Sequence, residues 1–309
     1  MQGSRGKPAV VRRRGHGYDG RVRVSSGISS ALPIGVFDSG VGGLTVLAAL
    51  RRRLPREAMI YLGDTARVPY GPKSPATVAA YTGEAVAHLV AEGIKLLVVA
   101  CNTATVHALA GLERQYPDLP ILGVVEPGAA AAVAGSKSGR IAVIATEGTV
   151  QSGAYDAAIR RLRPEATVVA RACGLLVSLA EEGWAEDILA EAVLRRYLGP
   201  MFEQDPHLAP DCLVLGCTHF PLFTPAIRMM FGPWVTLVDS SATVADAAVG
   251  MLADRGLART DDTGAGGVRY LVTDGPDRFA RIASRFLGEQ VAPAVVERIT
   301  LPAPAKAIR

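Results

Sequence analysis

Two cysteines stand in matching surroundings 116 residues apart. Cys101 closes the apolar run Leu96-Leu-Val-Val-Ala and precedes Asn102 and Thr103; Cys217 closes Leu213-Val-Leu-Gly and precedes Thr218 and His219. A buried cysteine is ordinarily a small, inert hydrophobe. A thiol where an apolar strand gives way to a polar loop is differently placed, because open α/β sheets bind ligands outside the carboxyl ends of their strands. Two such thiols suggest a pair of acid/base groups that face one ligand from two sides. Only the thiolate is a useful base, so each needs a neighbour that tunes or accepts its proton. Asp38 and His219 are the candidates, one in each half of the chain.

Rival chemistries use the same residues less fully. Cys217 and His219 could form the dyad of a thiol hydrolase, since positions i and i+2 of a strand share a face, but Cys101 is then left without a role. Cys212 and Cys217 are five apart and would face opposite sides of a strand, and neither Cys-x-x-Cys nor a paired histidine spacing occurs, so no metal site is expected. The run Asp38-Ser39-Gly40-Val41-Gly42-Gly43 has the glycines of a phosphate loop without its Gly-Lys-Ser/Thr ending. None of the five lysines has a context that marks a Schiff base.

The elements that must position these groups alternate between strand and helix. Ile34-Gly-Val-Phe-Asp38 reads as a strand entering a glycine-rich turn, followed by a helix over Leu44–Leu54 that stops at Pro55. A strand over Ala58–Gly63, a loop over Asp64–Pro75, a helix near Thr77–Glu92 and the strand ending at Cys101 come next. Such alternation with short connections predicts parallel α/β sheets. Within the loop, Val68-Pro69-Tyr70-Gly71 is a turn by its proline and glycine, with Tyr70 either a lid contact or a half-buried turn tyrosine. The second half repeats the plan: Ile141-Ala-Val-Ile-Ala145-Thr146 echoes Ile34-Gly-Val-Phe-Asp38-Ser39. The strand starts are 107 residues apart and the cysteines 116, so a duplication needs about nine inserted residues. Cys173, which opens a helical stretch ending Glu181-Glu182-Gly183, is expected to be structural.

Composition bounds the rest. A hydrophobic fraction of 49% in 309 residues supplies a sizeable core. No apolar stretch approaches the roughly 20 residues of a membrane helix. Four cysteines in a chain of this length are no disulfide framework, and a reducing cytoplasm fits them. Seven cations against Asp19 alone give residues 1–33 a net charge of +6, whereas the whole chain carries +4, so the folded body is slightly acidic. The leading segment is expected to be a disordered basic extension without the apolar core of a secretory signal. It leaves open a different class of function, a binding protein that engages nucleic acid or an acidic partner through this arm.

With these residues in view, the chain resembles the glutamate racemases of the aspartate/glutamate racemase superfamily from about Ile34 to Gly288. The resemblance is carried by Gly35-Val-Phe-Asp38-Ser39-Gly-Val-Gly-Gly-Leu, Val68-Pro69-Tyr70-Gly71, Ala100-Cys101-Asn102-Thr103-Ala104-Thr105, Thr146-Glu-Gly-Thr149, Leu215-Gly216-Cys217-Thr218-His219-Phe-Pro-Leu, Thr273-Asp-Gly-Pro-Asp-Arg-Phe279 and Arg285-Phe-Leu-Gly288. It implies two pseudo-twofold-related α/β domains with mostly parallel sheets and the active site in the cleft between them. The expected division is 34–124 with 246–290, then 125–245, with 291–309 as a C-terminal tail.

The activity implied is cofactor-independent interconversion of L- and D-glutamate, supplying D-glutamate for peptidoglycan. One cysteine removes the α-proton and the other reprotonates the opposite face; by position, Cys101 would deprotonate D-glutamate and Cys217 L-glutamate. Asp38 matches the acidic residue beside the first thiol, His219 the imidazole beside the second, and Glu181 a glutamate near that imidazole. Ser39, Tyr70, Gly71, Asn102, Thr103, Thr146, Thr149 and Thr218 match positions that hold the substrate's ammonium and carboxylates. Aspartate racemase is the alternative within the superfamily; the Thr218-His219 pair and the Pro-Tyr-Gly loop favour glutamate. The resemblance further implies a cytoplasmic homodimer without membrane attachment. Some members respond to a peptidoglycan precursor or bind DNA gyrase, and residues 1–33 carry no signature of either. The chain departs from the family in Ala172-Cys173-Gly174, often Ala-Cys-Pro, and in Ser178, where proline is common.

Overall fold

The computed structural model describes residues 27–202, 208–260 and 264–301. In chain order the elements are β1 (Ile34–Asp38), α1 (Leu44–Arg53), β2 (Met59–Gly63), α2 (Pro75–Ala91), β3 (Leu96–Val99), α3 (Asn102–Gln115), β4 (Ile121–Gly123) and α4 (Val125–Gly135). There follow β5 (Arg140–Ala145), α5 (Glu147–Gln151), α6 (Ala154–Leu162), β6 (Thr167–Ala172), α7 (Leu175–Glu182), α8 (Ile188–Phe202), β7 (Cys212–Gly216) and α9 (Thr224–Phe231). The chain closes with β8 (Thr236–Asp239), α10 (Ser240–Asp254), β9 (Val268–Val272), α11 (Pro276–Leu287) and β10 (Val296–Arg298).

Local chemistry sets these limits. Pro75 opens α2, where its missing N–H costs nothing, and the Ser74 hydroxyl caps the helix by accepting from Thr77 N at 3.3 Å. The α7 helix stops at Gly183, whose φ of 80° is a left-handed conformation that glycine adopts without penalty.

The strands form two sheets, ordered β10-β9-β2-β1-β3-β4 and β6-β5-β7-β8, with every neighbouring pair parallel. The order β2-β1-β3-β4 recurs as β6-β5-β7-β8, so β5 is the counterpart of β1 and β7 that of β3. The two halves are therefore copies of one plan, and the residues that follow β3 and β7 are topological equivalents. One helix, α2, connects β2 to β3, whereas α7 and α8 connect β6 to β7, and the extra length of the second half lies in this connection. Helices cover both faces of a parallel sheet, which is why β1, β2, β3 and β7 are buried along their whole length and read as continuous apolar runs.

Three expected boundaries differ. Order begins before Ile34, because Ile28 packs against the core and Ser30 O accepts from Lys95 Nζ at 2.6 Å. Residues 1–26 of the basic extension lie outside the described residues, as do 302–309 of the C-terminal segment. That segment is not wholly a tail: Val296 pairs with Tyr270, and β10 becomes the edge strand of the larger sheet. A boundary at 245/246 falls inside α10, whose buried stripe of Ser241, Val244, Ala245, Ala248 and Leu252 runs unbroken and packs on both α1 and α4. Among the described residues no helix is long and apolar enough to cross a membrane.

Candidate active site

The two thiols sit just past the ends of their strands, Cys101 by two residues and Cys217 by one. The β3 strand ends at Val99, and Cys101 caps α3, its Sγ accepting from Ala104 N at 3.4 Å. The β7 strand ends at Gly216, and Cys217-Thr218-His219 lead into a 3-10 turn at Phe220–Phe223. Cys217 and His219 are thus not strand neighbours on one face; they meet because the chain turns, which brings Sγ to 3.7 Å from Nδ1. Both thiols line one cavity of about 270 Å³.

Their surroundings are unlike. Burial and the nearby Asp38 push the Cys101 thiol up to about 12, against the Ser39 hydroxyl and the Ala104 N–H, which pull it down. Asp38 is 1% exposed; its Oδ2 accepts from Gly40 N at 2.9 Å, and its Oδ1 has no hydrogen-bond partner among the described residues. Burial raises the Asp38 carboxyl above its ordinary value, and His219 partly offsets this. At the other thiol a chain of charged contacts runs outward. His219 Nε2 lies 3.2 Å from Glu181 Oε1, and Glu181 Oε2 accepts from Arg278 at 3.1 Å. Burial would lower the His219 pKa, but the Cys217 and Glu181 contacts outweigh it and hold the imidazole up to about 10. Burial likewise opposes charge on Glu181, and His219 with Arg278 overcomes it, so its carboxyl titrates below the ordinary value. The arrangement favours a protonated thiol at Cys101 and an imidazolium beside Cys217.

The polar wall draws on both halves. Thr103 Oγ1 lies 2.8 Å from Thr146 Oγ1, which lies 3.0 Å from Thr149 Oγ1. Gly148 N donates to Gly71 O at 2.9 Å, tying the Pro-Tyr-Gly turn to the start of α5. Ser39, Tyr70, Gly71, Asn102, Thr103, Thr146, Thr218 and Glu181 line the cavity, whereas Asp38 and Thr149 stand behind its wall. Tyr70 contributes through its ring and backbone, since its hydroxyl donates to the buried Asp64 at 2.5 Å, which Arg67 also holds at 2.7 Å. Cys173 is fully buried in the core and lies outside this cavity.

Sequence reasoning missed several participants. Val177 and Ser178 of α7 line the cavity, and Asp64, Arg278 and Tyr155 contact residues that do. Arg278 and Glu181 are 97 positions apart, so no local pattern connects them. Helical spacing was the available signal for α7: Val177, Ser178 and Glu181 fall within one turn and its successor.

A duplicated parallel α/β fold, with one thiol per half at equivalent strand ends and a shared polar cavity, defines a class of protein suited to moving a proton on and off a small ligand. Residues 35–248 match the Asp/Glu/Hydantoin racemase family, and the chain belongs to it. The glutamate racemase of Geobacter metallireducens is 50% identical over 255 residues, covering 82% of this chain and 92% of the relative. The crystal structure of a glutamate racemase from Thermus thermophilus in complex with beta-chloro-D-alanine superimposes with a TM-score of 0.77 at 42% identity, over 88% of this chain and 98% of that one. A glutamate racemase from Francisella tularensis in complex with D-glutamate gives 0.80 at 32% identity, over the same shares.

Proposed function

We propose that this cavity racemises glutamate without a cofactor, by a two-base mechanism in which Cys101 and Cys217 exchange roles. The observation that carries the reading is the entry of both thiols into one cavity from equivalent positions of the two halves. With L-glutamate bound, the Cys217 thiolate beside the His219 imidazolium takes the α-proton, and the electron pair remains on carbon. The Cys101 thiol then donates its proton to the opposite face, giving D-glutamate with Cys217 as thiol and Cys101 as thiolate. The reverse reaction uses the same groups in the opposite order. Asp38 acts beside Cys101; His219, oriented by Glu181, acts beside Cys217. The Thr103–Thr146 hydroxyl pair, Ser39, Asn102, Thr218 and the Tyr70-Gly71 turn hold the substrate's charged groups, and Thr149 supports the pair from behind.

The α-proton of an amino-acid carboxylate is weakly acidic and no cofactor ring spreads the carbanion's charge. Catalysis therefore rests on donors fixed in a site shielded from water, where they gain strength as charge develops. The product is D-glutamate for peptidoglycan, made in the cytoplasm by a homodimer. The test is α-proton exchange of L-glutamate in D₂O with chiral analysis and no added cofactor, with L-aspartate in parallel. Glutamate turnover by the native protein, reduced to background in both Cys101→Ala and Cys217→Ala, is expected. Aspartate turnover in its place moves the substrate, and inversion of configuration that survives either substitution overturns the two-thiol mechanism.

A further inference from the structure

Asn102 is 2% exposed and lines the cavity beside Cys101, and its Nδ2 has no hydrogen-bond partner among the described residues. A buried amide donor left unpaired is costly, and its position on the wall points it to a ligand. Its Oδ1 is engaged: it accepts from the Tyr155 hydroxyl at 2.8 Å. Tyr155 belongs to α6, in the other half of the molecule, and is 3% exposed. Its ring is confined by two glycines. A Cβ at Gly128 would stand 3.2 Å from the hydroxyl, and one at Gly216, the residue before Cys217, 3.1 Å from ring carbon Cε2.

An asparagine amide has two nearly isosteric orientations, one presenting NH₂ and the other C=O. Nothing in the shape of Asn102 chooses between them; its hydrogen-bond partner does, and here the Tyr155 hydroxyl donates to Oδ1. We propose that Tyr155 is a positioning residue for the racemisation: its hydroxyl holds Asn102 Oδ1, so that the amide presents its N–H donors to the substrate's carboxylate. The inference rests on the substrate-binding role proposed above for Asn102. Without the hydroxyl the amide is free to turn its carbonyl toward the carboxylate, where two acceptors repel. Tyr155 thereby couples the halves at the point of substrate binding while never touching substrate itself.

Tyr155→Phe removes the hydroxyl and keeps the ring between Gly128 and Gly216. Steady-state racemisation of L- and D-glutamate, followed by circular dichroism, is measured for Tyr155→Phe, Asn102→Ala and the double variant, together with thermal midpoints. Tyr155→Phe is expected to raise KM about tenfold in both directions, with kcat within about twofold and little change in midpoint. The double variant is expected to match Asn102→Ala alone, since a residue that acts through Asn102 has no effect once that side chain is gone. Native kinetics in Tyr155→Phe with an impaired Asn102→Ala overturn the inference and leave the role of Asn102 standing. Native kinetics in Asn102→Ala overturn both. Losses that multiply in the double variant overturn the route through Asn102.

Discussion

His219 and Glu181 show how a side chain's charge is made by its partners. The imidazole is held up to about 10 against an ordinary value of 6.5, and Glu181 below its ordinary 4.5. A raised histidine contributes stability that is complete below 6.5 and lost as pH rises through about 10. A depressed carboxyl contributes above 4.5 and loses its share as pH falls through its lower folded value. Both contributions are therefore complete between 4.5 and 6.5. Glu181→Gln removes the charge partner. Denaturant unfolding across the pH range should show a shallower decline between 6.5 and 10 in the variant than in the native protein. Parallel curves would show that His219 draws its charge from Cys217 alone. Of this site, the thiols, Asp38 and His219 were legible in the sequence because each stands at the end of an apolar strand or in the few residues just after it. Arg278 was not, since it reaches Glu181 from a different helix across 97 positions.

At the scale of elements, the turn between β1 and α1 is built to be approached. A Cβ at Gly42 would lie 2.3 Å from Thr218 Oγ1 and 2.4 Å from the His219 ring, and one at Gly43 would lie 2.5 Å from Asp38 Cβ. Thr45, in the first turn of α1, donates to Thr218 O at 2.9 Å, so α1 and the Cys217 loop are held together across the two halves. Gly42→Ala is expected to destabilise by about 1–3 kcal/mol and to lower activity by displacing His219. Gly83, inside α2, has open space where its Cβ would stand. There the same substitution is expected to stabilise by about 0.5–1 kcal/mol through the helix propensity alone. Opposite signs in paired denaturation curves check the argument; equal effects would sink it. Sequence alone read Gly40, Gly42 and Gly43 as a weak phosphate-loop pattern, because glycine spacing does not say what approaches the backbone.

At the scale of the molecule, the end of the larger sheet away from the thiols is closed by one buried ion pair. Lys95 Nζ lies 2.5 Å from Glu57 Oε2, with side chains 0% and 3% exposed. Lys95 also donates to Ser30 O, and Glu57 Oε1 accepts from Arg259 N at 2.8 Å. Four segments remote in sequence thus converge on two side chains. Lys95→Met leaves Glu57 buried without its cation and is expected to cost about 3–5 kcal/mol, read as a drop in the denaturation midpoint. The remaining folded protein should keep its kcat, because the pair lies at the opposite end of β3 from Cys101. Loss of kcat without loss of stability would contradict that separation.

The chain's own pattern determined the alternation of strand and helix, the duplication and the residues at the strand ends. These are encoded in short-range periodicity, in glycine and proline punctuation and in two repeated motifs. Tertiary structure alone decided that Cys217 meets His219 through a turn, that α10 spans both halves, that β10 completes the sheet and that Tyr155 reaches Asn102. Each of these depends on packing between segments far apart in the chain. A sequence states which groups are available; the distances that turn them into partners arise only when the two halves close on one another.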